Sequence, residues 1–365
     1  MNFKLTLIFF ICIILLYIFT KIHSTQKYFL QCDCIYELPD LLEQVITENK
    51  IKNLYIPCTY NDIGAEILKM PKVKNGKYFI IENCDMLTAK ELLWQIIVGY
   101  YGLKTAQTIL PNSYVLNLVD DMNRFKKEFN KSMIYILKKN KQRQEGLKIT
   151  KSLNDIKNAY LDDYVIVQEL LQDPYTINKH KINIRFYVFV ICRNNKICIY
   201  VYNDGFIYYT KKHFKKNKLD VNINVTTGYI DRQIYIDNPL THSDLKYYLD
   251  KKRKLSKSEK HILALNNKLS DVFFNNIYKS LHTLFVPFID KICTGNYFDN
   301  REQTTFQLFG VDVAINDNYE SKIMEINKGP DLTSKDERDK ELKINLLRNM
   351  FNLINEKPND FIQLI

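Results

Sequence analysis

A single acid, Asp312, stands inside the apolar run Leu308–Ile315, and Glu325 and Asn327 stand in and just after a second apolar strand, Lys322–Ile326. Side chains alternate faces along a strand, so Glu325 and Asn327 project to the same side. A charge inside a buried strand is costly unless something pairs with it. Two carboxylates and an amide offer only oxygen, the ligand type that Mg²⁺ takes beside nucleotide phosphates. The trio points to a nucleotide-using enzyme. The plainer alternative makes Asp312 a strand-end acid and leaves Glu325 and Asn327 in a turn.

Basic side chains fall at compatible places. Lys138 directly follows the strand Met133–Leu137, where a lysine can meet phosphate as a point charge. The polar segment Lys139–Ile149 carries one glycine, Gly146, and could cover phosphates as a flap. It lacks the spacing of a P-loop. Gln168, Glu169 and Leu170 end the strand Tyr164–Leu170. Backbone groups and one acid there could read an adenine amino group, or simply end a strand. Lys181, Asn183 and Arg185 share one face of Ile182–Ile191, and Ile182, Ile184 and Phe186 share the other. A basic–amide–basic stripe suits an anionic cleft, or else the solvent face of an edge strand. His180, His213, His242, His261 and His282 show no metal-ligand spacing, and no Gly-x-Ser-x-Gly elbow is present.

These residues need a frame. Strand-like runs occupy Ile51–Tyr60 and Lys77–Glu82. Thr88–Gly99 has helical character, with Thr88 as N-cap and Glu91 at capping-box spacing. Ile109–Leu116 is extended and Asp120–Phe129 helical. Strands then dominate: Met133–Leu137, Tyr164–Leu170, Ile182–Ile191, Lys196–Tyr202, Phe206–Thr210 and the two strands of the acids. Asp204–Gly205 is a hairpin signal. A polar helical region, Asp244–Phe288, is inserted before the last strands. The pattern predicts mixed, largely antiparallel sheets with helices, α+β or α/β, and not a doubly wound parallel sheet.

The chain has 365 residues, 46% hydrophobic and 25% charged, within globular norms and long enough for two or three cores. Its net charge is +11, with basic runs at Lys211–Lys218 and Lys251–Lys254. Such runs attract polyanions. No nucleic-acid-binding signature accompanies them, so nucleic acid is not an expected partner. The segment Leu5–Phe19 is apolar except for Thr6. It lacks a clear cleavage site, which favours an uncleaved signal anchor over a cleaved signal peptide. Balanced flanking charge leaves its orientation open. Residues 26 to about 45 are expected to be juxtamembrane. Eight cysteines in so long a chain need no disulfide framework and lean toward a reducing compartment, and Cys192 and Cys198 are expected in the core.

Taken in order, Leu87–Leu92 (LTAKEL), Pro111–Leu116 (PNSYVL), Ile136–Lys138 (ILK), Val165–Pro174 (VIVQELLQDP), Lys181–Val190 (KINIRFYVFV), Asn203–Phe206 (NDGF), Phe309–Asp312 (FGVD) and Met324–Pro330 (MEINKGP) resemble the motifs of the tubulin–tyrosine ligase-like family, a branch of the ATP-grasp ligases. The resemblance covers about residues 80 to 355. It implies an ATP-grasp fold with a smaller N-terminal domain. The expected divisions are a membrane segment at 1–25, an N-terminal and linker region at 26–130, and a ligase core at 131–358. It implies ATP and Mg²⁺ as cofactors, a free amino acid as co-substrate, and an acidic protein tail, tubulin among the possibilities, as acceptor. The reaction would run through an acylphosphate that an amine attacks. By position, Lys138 and Lys181 look like phosphate contacts, with Asn183 between Lys181 and Arg185. Gln168, Glu169 and Leu170 look like the adenine hinge, Arg185 like a contact to phosphate or to the transferred group, and Asp312, Glu325 and Asn327 like the magnesium ligands.

The chain departs from the family pattern at four places. Asn183 replaces an acid, and Tyr208 or Tyr209 falls where an arginine is usual. Lys139 replaces a proline, and Val225–Tyr229 with Ile230–Arg232 replaces another motif. Arg232 could substitute for the missing arginine. Three functions compete: a ligase acting on an acidic protein tail, a membrane-tethered ATP-binding pseudoenzyme or scaffold, and a basic anion-binding protein. A cytosolic domain tethered through residues 5–19 would meet tubulin, whereas a lumenal one would not.

Overall fold

β-branched and aromatic residues crowd the stretch from Ile182 to Tyr209, and such residues favour a pleated, half-buried surface. In the computed structural model they form two long paired strands. The structure describes residues 29–31, 39–141, 146–255, 257–265, 268–295 and 297–365. In chain order the strands are β1 (Phe29–Gln31), β2 (Leu54–Ile56), β3 (Lys77–Tyr78), β4 (Ser113–Val115), β5 (Tyr135–Lys138), β6 (Leu147–Thr150), β7 (Ile166–Glu169), β8 (Thr176–Ile177), β9 (His180–Arg193), β10 (Lys196–Thr210), β11 (Thr226–Thr227), β12 (Thr304–Ile315), β13 (Ser321–Lys328) and β14 (Phe361–Gln363).

The larger sheet has the order β1-β2-β3-β12-β9-β10-β11, with β13 paired to β12, β14 to β10 and β8 to β9. The smaller sheet is β4-β7-β5-β6. Among the described residues, parallel pairing is confined to β1–β2, β2–β3 and β3–β12. The fold is therefore α+β with mixed, largely antiparallel sheets.

β9 lies between β12 and β10, so the stripe of Lys181, Asn183 and Arg185 is not on an edge. Its opposite face is apolar: Ile182, Ile184 and Phe186 are fully buried. The helix Leu269–Phe285, from the polar insertion, covers that face. Its Phe274 and Tyr278 rings lie 6.2 and 6.0 Å from Phe186. Burying each such side chain contributes roughly 1.5–3 kcal/mol. The same strand thus has one face that anchors it and one left for polar work.

The helix Glu337–Ile354 starts where the Asp336 carboxylate accepts the Asp339 backbone N–H at 2.8 Å, an N-cap. Its Leu342, Leu346, Leu347, Met350 and Phe351 are buried at helical spacing. It packs on the helix Asp40–Asn49, whose Leu41, Leu42, Val45 and Ile46 are also buried. Residues from Asp40 onward therefore belong to the packed domain rather than to a juxtamembrane tail.

Other expectations are redrawn. Asp204–Gly205 makes no hairpin: both lie within β10, where the register with β9 shifts between Val201 and Gly205. The turn between β9 and β10 falls at Asn194–Asn195, both in the left-handed region with φ of 54° and 56°. Asn tolerates that region, and two such residues make a hairpin turn. Asp204 instead receives the backbone N–H of His242 at 2.8 Å. Thr88 caps no long helix. It ends a short helix, Asp85–Thr88, and Lys90–Tyr101 follows through extended Ala89 with no side-chain cap. Glu91 makes no capping box because its carboxylate receives the Asn140 amide at 2.8 Å. The division expected at residue 130 does not follow the sheets. β1–β3 extend the sheet of β9, β10 and β12, and β4 sits in the small sheet.

Cys192, buried on β9, is disulfide-bonded to Cys293 with the Cα atoms 6.1 Å apart, and Cys58 is also disulfide-bonded. Cys84 and Cys198 are free. The Cys192–Cys293 pair is separated by 101 residues, and only the fold brings it within bonding reach. No helix among the described residues is long and apolar enough to cross a membrane. The expected membrane helix, Leu5–Phe19, lies outside the described residues.

Candidate nucleotide and metal site

Strand pairing sets the row at the heart of the site. Asp312 on β12 stands opposite Arg185 on β9 and opposite Glu325 on β13. Arg185 donates from Nε to Asp312 Oδ1 at 2.6 Å and from Nη2 to Oδ2 at 2.9 Å. Such a two-bond fork fixes both planes. Gly310 makes room for it: a Cβ there would approach Arg185 Nη1 to 2.9 Å. Burial works against the guanidinium charge, but Asp312 outweighs it and raises the Arg185 pKa well above the ordinary value. Burial also raises the Asp312 pKa, with Arg185 opposing.

Asn327 follows Glu325 on the same face of β13 and pairs across to Gly310. Asp312, Glu325 and Asn327 all line one cleft of about 570 Å³. No group of three His, Cys, Asp or Glu at metal-binding spacing exists among the described residues. The trio holds two carboxylates and an amide, a hard oxygen set that suits Mg²⁺ with phosphate and water completing the shell. Carboxylate oxygens have two lone pairs each, so the Arg185 bonds leave Asp312 able to accept more.

Two lysines face these acids. Lys138 ends β5 and Lys181 lies on β9; their exposures are 6% and 2%. Lys138 Nζ donates to the Met324 carbonyl at 3.3 Å. Burial lowers both pKa values to about 8; Glu325 partly offsets this for Lys138, and the nearby Lys138 charge adds to it for Lys181. Two poorly solvated ammonium groups side by side gain from an anion that pairs with both. Lys90, from the helix Lys90–Tyr101, adds a third ammonium 3.3 Å from Glu325 Oε1.

The small sheet forms the facing wall. Ile136, Leu147 and Leu170 line the cleft there, with Met324 of β13 beside them, and provide apolar surface for a flat base. Gln168 and Glu169 stand behind it. Gln168 is buried and donates to Ser113 Oγ at 2.8 Å, and Glu169 accepts from the Asn112 amide at 3.0 Å. Their side chains do not line the cleft. Asn183 does line it, and its buried Oδ1 has no hydrogen-bond partner.

Arg232 also lies off the cleft lining. Its Nε donates to Asp336 Oδ2 at 2.6 Å, and its guanidinium sits 4.5 Å from the Tyr235 ring centre. The structure thus brings together Lys138, Leu170, Lys181, Asn183, Arg185, Asp312, Glu325 and Asn327, and sets Gln168, Glu169 and Arg232 apart from them. Sequence reasoning left out Lys90, Lys211 and Lys335, which also line the cleft. Lys90 sat inside a quoted motif and Lys211 inside a basic run, so both carried a signal. Lys335 carried none.

An apolar wall opposite a row of acids, with lysines between a mixed and an antiparallel sheet, defines an ATP-grasp-like α+β protein. The family model described as the tubulin-tyrosine ligase family matches residues 70–362. The chain belongs to that family. Among its relatives, a probable beta-tubulin polyglutamylase of Tetrahymena thermophila is 23% identical over 249 residues, 65% of this chain and 20% of that protein. The probable tubulin polyglutamylase TTLL9 of Mus musculus is 27% identical over 207 residues, 56% of this chain and 41% of that one. The probable tubulin polyglutamylase ttll-9 of Caenorhabditis elegans is 24% identical over 291 residues, 76% and 64% respectively. The chain spans less than half the length of the first two.

Proposed function

We propose that this chain is an ATP-dependent ligase that joins an amino acid to a protein carboxylate through an acylphosphate. One observation carries the reading: the Glu325–Asp312–Arg185 row meets the buried Lys138 and Lys181 in a single cleft. Phosphoryl transfer asks for positioning and charge neutralisation more than for covalent help. Lys138 and Lys181 would hold phosphate oxygens, Ile136 and Leu170 the base, and Arg185 the transferred group. Asp312, Glu325 and Asn327 would hold Mg²⁺, which supplies charge neutralisation on the phosphates when bound.

The relatives named polyglutamylases support glutamate as the amino acid and an acidic tail such as that of tubulin as the acceptor. The basic run supports the same acceptor. Lys211 lines the main cleft and also a second hollow of about 330 Å³ with His180, Lys212, His213 and Lys215. A chain of carboxylates could lie along it, with binding that weakens as salt rises. A tether through residues 5–19 belongs to the same proposal.

A second reading, an ATP-binding pseudoenzyme or scaffold, draws on Asn183 and Tyr208. They pair across β9 and β10; Asn183 stands where the family pattern has an acid, and Tyr208 is one of the two positions, with Tyr209, where it has an arginine. Full-length chain offered labelled Glu, Gly and Tyr with tubulin and acidic peptides separates the two. Incorporation that requires Mg²⁺, ATP and an intact Glu325, tested with Glu325→Ala, supports the ligase. Nucleotide binding without incorporation moves the chain to the scaffold reading. No nucleotide binding removes both.

A further inference from the structure

The cleft has a second cationic point, on the far side from the acids. On the large sheet Glu325, Asp312 and Arg185 stand in one row, and the next cleft-lining residue on β10 is Tyr208, which pairs with Asn183 one step along β9; Gly228 follows β11 beyond it. Lys335 reaches the last of these from the segment just before the helix Glu337–Ile354. Its Nζ donates to the Gly228 carbonyl at 3.2 Å and lies 4.3 Å from the centre of the Tyr229 ring. The nearest carboxylate oxygen, Asp331 Oδ2, is 3.8 Å away, longer than a hydrogen bond. A Cβ at Gly228 would come within 3.1 Å of the Tyr208 ring and 3.2 Å of Lys335 Nζ, so the phenol and the ammonium flank one point.

The charge at that point is unusual for what surrounds it. Arg185 is closed by both oxygens of Asp312 and stacks 5.0 Å from the Tyr208 ring. Tyr208 is one of the two positions, with Tyr209, where the family resemblance leads one to expect an arginine, and burial pushes its phenol pKa up to about 12. Arg232 is held by Asp336. Lys335 is then the cation beside Tyr208. An ammonium has three N–H donors and the Gly228 carbonyl takes one. An ammonium next to a phenolic O–H is a donor pair for a carboxylate, not for a metal ion.

We infer that Lys335 and Tyr208 form a carboxylate-binding subsite at the Gly228 side of the cleft, for the carboxylate of the incoming amino acid or of the acceptor side chain. The subsite rests on the ligase reading above. It places one substrate on the opposite side of Arg185 from Asp312 and Glu325, which suits a reaction between two groups held in one cleft. Burial, with Lys343 nearby, lowers the Lys335 pKa, and an anion bound there would oppose that shift.

Equilibrium binding to the full chain tests this. The protein is saturated with Mg²⁺ and a non-hydrolysable ATP analogue, and the probes are free glutamate and a Glu-rich peptide. Wild type, Lys335→Ala and Lys335→Arg are compared. Loss of a charged hydrogen bond changes affinity by about 10-fold or more. Lys335→Ala is therefore expected to weaken one probe by that factor, Lys335→Arg to keep most of the affinity, and all three to bind the analogue alike. The weakened probe identifies the source of the carboxylate. The subsite is overturned if wild type binds the analogue but neither probe, or if Lys335→Ala binds both probes as wild type does. Loss of analogue binding in Lys335→Ala alone also overturns it, because the role is then structural. A wild type that binds no analogue removes the ligase reading instead, and the subsite with it.

Discussion

The two sides of the cleft are built differently. On one side, Lys138, Lys181, Arg185, Asp312 and Glu325 project from β5, β9, β12 and β13, all but β5 belonging to the large sheet. A two-bond ion pair ties the centre of that side together. On the other side, Gly228 and Tyr229 follow the two-residue strand β11, and Lys335 sits on a connecting segment outside both sheets, its ammonium donating to the Gly228 carbonyl and its backbone N–H to Asp339 Oδ2. The first side holds charges that strand geometry over-determines. The second can change its side chains without disturbing a sheet. Chemistry common to a reaction class fits the rigid side, and choice of substrate fits the side where residues are cheap to replace.

The sharpest way to break that contrast is to remove the centre of the rigid side. Asp312→Ala leaves the Arg185 guanidinium without its carboxylate in a nearly closed site. Breaking a buried pair from one end costs about 3–5 kcal/mol, so urea unfolding should show a loss of that order. Lys335→Ala should move stability by less than about 0.5 kcal/mol. Equal losses from the two would dissolve the distinction.

The next effect is on pH. Lys138 and Lys181 have pKa values of about 8 in the folded chain, against an ordinary value of 10.5. Below pH 8 both are charged in both states, and the cost of burying them is fully present. Between about pH 8 and 10.5 the folded chain binds fewer protons than the unfolded one, so stability should rise with pH across that window. The gain is on the order of 3 kcal/mol for each lysine. Nucleotide binding should move the other way. Phosphate favours the charged lysines, so affinity should fall above pH 8, by up to about tenfold per pH unit for each lysine that must take up a proton. Calorimetric titration across pH 7 to 10 checks the sign, and Lys138→Met should remove part of the slope.

The smallest effect sharpens the other side. Arg232 forms a half-buried ion pair with Asp336 and lies off the cleft lining. Arg232→Ala should leave nucleotide affinity within about twofold and cost roughly 0–1 kcal/mol of stability. A large loss of amino-acid binding would return Arg232 to the site.

The contrast also explains what was legible in the chain. Asp312, Glu325, Asn327, Lys181 and Arg185 stand out because a polar residue in an apolar, alternating strand must face something that compensates it. Lys335 lies in TSKDERDKELK, where a cation is ordinary and no period marks the one that turns into a cleft. The β9–β10 turn was misplaced because Asp204–Gly205 is the stronger local signal. Gly205 is needed for another reason: a Cβ there would meet the Arg185 carbonyl. The Cys192–Cys293 bond and the packing of Asp40–Asn49 on Glu337–Ile354 join residues about 100 to 300 apart in the chain, and no local pattern reports such contacts.

The most direct test of the central claim is MgATP binding to the full chain, measured beside Lys138→Met and Lys181→Met together. Saturable binding is expected in wild type, dependent on Mg²⁺. The double variant should lose at least about 100-fold in affinity, each lysine giving up a charged hydrogen bond, while remaining at least as stable as wild type because two buried charges are gone. Wild type with no MgATP binding, or a double variant that binds as well as wild type, would contradict the assignment of this cleft as a nucleotide site.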